Sequence, residues 1–139
     1  MRGASLLLAV ILVLTGSAGW AEDPYEVDWM RQFGTSERDE SWAVNVDASG
    51  HPFLSGQTRG SLAGPYQGGH DAFLIKCDGA GNTLWSRQVG TAEGDWSRSM
   101  AVDSGGNAYI SGETAGSLGG PNQGGEDVFL SKYSGDGAP

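Results

Sequence analysis

The sequence predicts an all-β protein assembled from two copies of one small antiparallel sheet. Two observations carry that prediction. The first is composition: 24 of the 139 residues are Gly, alongside five Trp, four Tyr and four Phe. Gly does not recur at every third position, which excludes collagen, and the aromatic load argues against disorder. Short strands joined by many tight turns remain. The second is a repeat. Trp29-Met30-Arg31-Gln32-Phe33-Gly34-Thr35 returns as Trp85-Ser86-Arg87-Gln88-Val89-Gly90-Thr91, an offset of 56 that holds without a gap to the end of the chain.

The first element is an address. Met1-Arg2 is followed by an unbroken apolar run, Leu6 to Leu14, and then by the small residues around Gly16 to Ala21. This is the three-part layout of a secretory signal peptide, with cleavage expected between Ala21 and Glu22 and with Ala18 as the second choice. An uncleaved anchor is the competing reading. The second half of the uncharged stretch is too weakly apolar for the ~20-residue span that an anchor needs. Residues 22–26 form a short linker, 27–82 the first repeat and 83–139 the second.

Each repeat holds strand-like runs separated by turns. In the first, Trp42 to Asp47 alternates apolar Trp42, Val44 and Val46 with Ala43 and Asn45. Asp47-Ala48-Ser49-Gly50 is a turn, with Asp at its start and Gly at its end. Phe53 to Thr58, Ala72 to Cys77 and Thr83 to Val89 follow, the last after a second turn at Asp78-Gly79-Ala80-Gly81-Asn82. No run beyond the leader shows helical spacing. Four short strands per unit match one blade of a β-propeller. The expected fold is therefore two four-stranded antiparallel blades forming an incomplete ring. The complete blade runs from Ser41 to Val89. The second starts near Arg98 and lacks its last strand, while Val27 to Phe33 is a fourth strand with no blade of its own. A ring needs about 4–8 blades. Two unclosed end faces, about 500 Å² in total, would forfeit on the order of 12 kcal/mol. The chain is thus expected either to associate with itself or further blades, or to be part of a longer repeat array.

The motifs Trp-x-Arg-Gln-x-Gly-Thr, Val-Asp-x-x-Gly, Ser-Gly-x-Thr, Gly-Gly-x-Asp and Phe-Leu-x-Lys resemble the SBBP-type β-propeller repeat of bacterial and archaeal secreted and cell-surface proteins. The resemblance covers Val27 to Gly137. It implies a fold and export, and it supplies no catalytic residues.

A formal net charge of −9 and a pI near 4.4 repel phosphate backbones and offer no basic patch to anionic lipid, so nucleic acid and membrane surface are set aside. The lone Cys77 cannot form an intramolecular disulfide and sits in a strand-like run, where it reads as a small half-buried hydrophobe. No Gly-x-Ser-x-Gly or His-Glu-x-x-His motif occurs. His51 and His70 are not duplicated. Asp71 and Asp127 recur before a strand, where Asp bonds turn N–H groups. Trp29 and Trp85 recur inside predicted strands and read as inter-blade core.

The candidate ligand-binding residues are Glu37, Asp39, Glu93 and Asp95, in the loops entering each blade, and Trp42 and Trp96, which do not align with each other and are free to stack on a sugar or peptide. Paired carboxylates beside Gly-rich backbone are the one calcium candidate, but their spacing matches no calcium loop, and no cofactor is expected. The expected function is a non-catalytic, exported scaffold or a module that binds protein or glycan at the cell surface. The alternative is part of a carbohydrate-active propeller hydrolase or lyase.

Overall fold

The structure is a computed structural model and describes residues 26–138. The expected leader, the Ala21–Glu22 cleavage point and most of the linker lie outside the described residues. Seven strands form two antiparallel sheets, with no helix among the described residues. The first sheet has the order β1(Asp39–Val46), β2(Pro52–Thr58), β3(Asp71–Cys77), β4(Thr83–Val89). The second is β5(Asp95–Val102), β6(Ala108–Thr114), β7(Asp127–Tyr133).

Within each sheet every strand follows its neighbour in sequence, because the connections are tight turns. Asp78 shows the recurring device. Its carboxylate accepts from Ala80 N and Asn82 N, and its own N–H donates to Asn82 O at 2.8 Å. Gly81 closes the turn at φ 80°, a conformation that L side chains resist. The turns at Asp47 and Asp103 are built in the same way.

The sheets stack face to face. Phe53, Ala72 and Leu74 of the first meet Ala108, Ile110, Phe129 and Tyr133 of the second, with Trp85, Met100 and Val102 at the margin. Ser97 Oγ donates to Ser55 Oγ across the seam at 3.2 Å. Trp85 is held edge-on to Phe53 and donates its indole N–H to Gly135 O at 3.1 Å. Lys76 is nearly buried and bridges Asp47 Oδ2 at 3.1 Å and Gly135 O at 3.2 Å. These contacts bolt β3 and β4 to the turn that follows β7.

The opposite face of the first sheet carries Phe73, Ile75 and Cys77, partly covered by Phe33, Leu54, Leu62 and Ala63. Cys77 is buried as a small hydrophobe, and burial pushes its thiol pKa up.

Four sequence expectations need correction. The first strand begins at Asp39 rather than Trp42, and the second sheet at Asp95 rather than Arg98. In both, a bulge between Ser41 and Ala43, or Ser97 and Ser99, interrupts the alternation that marks a strand. The three strands of the second sheet match the expected absence of its last. Val27 to Phe33 is not a strand, since a strand requires a ladder and this segment has no backbone partner among the described residues. For the same reason Trp29 is not core. It lies 40% exposed on the Asp78–Asn82 turn and donates its indole N–H to Gly79 O at 3.0 Å.

Candidate functional site

The Gly-rich loop 59–70 and the β4–β5 connection 90–94 share one end of the stacked sheets. Asp95 N donates to His70 O at 2.6 Å, and Gly68 and Gly69 press against the backbone of Ala92 and Glu93. The candidate acids divide there into two kinds. Asp39 Oδ2 accepts from Thr35 N at 2.6 Å and Thr35 Oγ1 at 3.0 Å, and its Oδ1 accepts from Thr58 Oγ1 at 2.5 Å. Burial raises its pKa, but these donors outweigh burial and hold it below the ordinary value. Asp95 repeats the arrangement with Thr91 and Thr114. Both carboxylates lock a turn and present no free oxygen to a ligand. Glu37 and Glu93 are exposed, and their side chains make no hydrogen bond among the described residues. Among those residues no three His, Cys, Asp or Glu side chains gather as metal ligands.

The two tryptophans do come together, through a residue that the sequence reading passed over. Trp42 and Arg98 occupy the same bulge position of β1 and β5, left out of the pairing ladder in each. The two strands are neighbours across the sheet seam. The Arg98 guanidinium lies 5.4 Å from the Trp42 ring centre and 5.9 Å from that of Trp96. It is also paired with Glu113 at 3.0 Å. Trp96 packs on His70, with ring centres 5.6 Å apart. Burial, then the charge of Arg59, lowers the His70 pKa, and its neutral Nε2 accepts from Arg59 Nε at 2.9 Å. Arg38 pairs with Glu40 at 2.5 Å, and buried Gln57 donates to Glu40 while its own carbonyl oxygen has no partner among the described residues. Trp42 is 52% exposed. Stacking surface, guanidinium donors and carboxylate acceptors thus share one rim in an acidic chain.

Residues 84–119 match the family model of the SBBP β-propeller repeat. The chain carries an SBBP repeat. The matched stretch runs through β4, β5 and β6, from the last strand of one sheet into the next. The matched stretch therefore crosses the boundary between the two sheets. No curated protein matches the chain.

Arg98, Arg59, Gln57 and Glu113 carry no motif of their own along the chain. Every rim position differs from its counterpart 56 residues away: Arg38 and Gly94, Glu40 and Trp96, Trp42 and Arg98, Gln57 and Glu113, Arg59 and Ala115, His70 and Glu126. The turn-locking residues Thr35, Asp39 and Thr58 recur unchanged as Thr91, Asp95 and Thr114.

Proposed function

We propose that this chain is an exported, non-catalytic propeller module that binds a protein or a glycan through the rim around Trp42, Arg98 and Trp96. One observation supports the reading above the rest. Two indoles, a guanidinium and carboxylates meet at one exposed place around Arg98, whereas the recurring Thr35, Asp39 and Thr58 are spent on locking a turn. The chemistry suits a sugar ring or peptide side chain stacked on an indole, with Arg98 donating to its hydroxyl or carboxylate oxygens. The leader-like residues 1–21 support action outside the cytoplasm, at the cell surface or in a periplasm.

A glycan and peptide array probed with the purified chain tests the reading. Binding should fall at least tenfold in Trp42→Ala and in Arg98→Ala, with melting temperature unchanged, since both side chains are exposed. Full binding in both variants would refute the rim. Release of new reducing ends from a bound polysaccharide, abolished by Glu37→Gln, would make the module catalytic instead.

A further inference from the structure

The rim carries a positive charge that no carboxylate answers. Arg59 directly follows β2, and its backbone N–H donates to Arg38 O at 2.9 Å. Two exposed arginines therefore face each other across the ends of β1 and β2, where like charges destabilise a sheet. Arg98 belongs to the same group. Burial is the first cause of the lowered His70 pKa, and the charges of Arg59, Arg38 and Arg98 all add to it, with Glu40 opposing them. Three guanidiniums thus converge on one imidazole.

The two carboxylates beside them are already spent. Glu40 Oε1 accepts from Arg38 Nη2 at 2.5 Å, and its Oε2 accepts from Gln57. Glu113 Oε2 accepts from Nε and Nη2 of Arg98, at 3.2 and 3.0 Å. Arg59 is left over. Its Nε donates to His70 Nε2 at 2.9 Å, and its two terminal nitrogens have no partner among the described residues. His70 in turn packs on Trp96. Arg59 is therefore anchored by one edge of its guanidinium, and the free end is the two-nitrogen fork that matches a carboxylate. The chain as a whole has a formal net charge of −9. An anion that most of this surface repels is drawn to this one spot.

We infer that the rim takes an acidic oligosaccharide, with the carboxylate of a uronate ring on the fork of Arg59 and a further ring stacked on Trp42. The inference rests on the proposed binding role of the rim and names its ligand class. A sugar acid suits the place better than an acidic peptide, because it carries its carboxylate on a ring whose C–H face can lie on an indole, whereas Asp and Glu side chains have no such face. The occupant is longer than one sugar. Arg38, the backbone partner of Arg59, is four residues from Trp42, about 13 Å of extended chain.

Calorimetric titration with oligogalacturonate, oligoguluronate and hyaluronate fragments, each beside its carboxyl-reduced form, tests the inference. At least one acidic oligomer should bind, and reduction of its carboxylates should weaken it about tenfold or more. Arg59→Gln should weaken the acidic form by a similar factor and leave any binding of the reduced form unchanged, a difference that a merely structural role of Arg59 would not produce. Arg59→Lys keeps the charge without the fork and should recover only part of the loss. Trp42→Ala should weaken both forms. The melting temperature of the Arg59 variants should stay at the wild-type value, since the residue is exposed. Acidic and reduced forms bound equally, with Trp42→Ala weakening both, would overturn the acid preference and leave the rim a site for neutral glycan. A polyglutamate peptide that binds where no uronate oligomer does would overturn it in favour of a protein partner, and a panel that binds nothing would overturn it outright.

Discussion

Replacing Gln88 by Ala isolates one side chain that joins loop, strand and buried carboxylate. The wild-type amide makes contacts of 3.0 Å to Leu62 N, 3.0 Å to Ala63 N, 2.9 Å to Gly60 O and 2.7 Å to Asp71 Oδ2. Three neutral bonds at ~1 kcal/mol and one to a carboxylate at ~2 kcal/mol give a gross loss of about 5 kcal/mol. Water reaches some of the freed loop groups, which lowers the expected cost to about 3 kcal/mol. Asp71 is fully buried and would lose the one donor that β4 brings to it. Against a whole-domain stability of about 5–15 kcal/mol that is a large fraction. Urea unfolding followed by Trp fluorescence should show the midpoint falling by about 2 M for a slope near 1.5 kcal/mol/M. Gln32→Ala, measured in dilute solution, is the internal control and should leave the midpoint in place. A Gln88→Ala midpoint within about 0.5 M of wild type would refute the claim that this amide holds the Gly-rich loop.

Three further outcomes follow from the same contacts. Leu74→Ala should cost about 2–5 kcal/mol in thermal or urea unfolding, and Leu130→Ala under about 0.5 kcal/mol in dilute solution, because the same repeat position is covered in one blade and bare in the other. Burial pulls the Asp47 carboxyl up, but His51 N–H, the Lys76 ammonium, Ser49 N–H and the His51 ring hold it at about 2 against an ordinary 3.8. Its folded-state pKa is depressed, so its contribution is fully present above 3.8 and drains away as the pH falls towards about 2. Asp47→Asn should therefore be less stable at neutral pH and show a flatter acid limb in a urea-midpoint profile, and superimposable profiles would count against the assignment. The Cys77 thiol should ignore a disulfide reagent in the native state and react fully in denaturant, since it is buried and its pKa is raised; a rapid native reaction would contradict that burial.

Much of the fold was legible because turn chemistry is local. Asp78 to Asn82 could be recognised as a turn from its residues alone, and β4 falls where its alternation and flanking turns put it. The inner strands were harder. The bulge after Ser41 removes Trp42 from the ladder, and the polar pair Asp39 and Glu40 hides the strand's true start. Val27 to Phe33 has the sequence of a strand, but strand formation is decided by a neighbour that lies outside the local sequence. At the site, Asp39 and Asp95 were candidates because carboxylates near glycine suit a ligand. Their identical recurrence with Thr35 and Thr91 was the sign of a structural lock. The partnership of Trp42 with Arg98 was invisible along the chain, since equivalent positions of successive blades become neighbours only once the sheets stack.

The bulge shared by β1 and β5 has a consequence for engineering. It gives each unit one residue that the hydrogen-bond ladder skips, so its identity is released from the pattern that the sheet imposes on its neighbours. Nature has already written an indole there once and a guanidinium once. Randomising positions 42 and 98 together would make a small library in which recognition is rewritten while the scaffold is left alone.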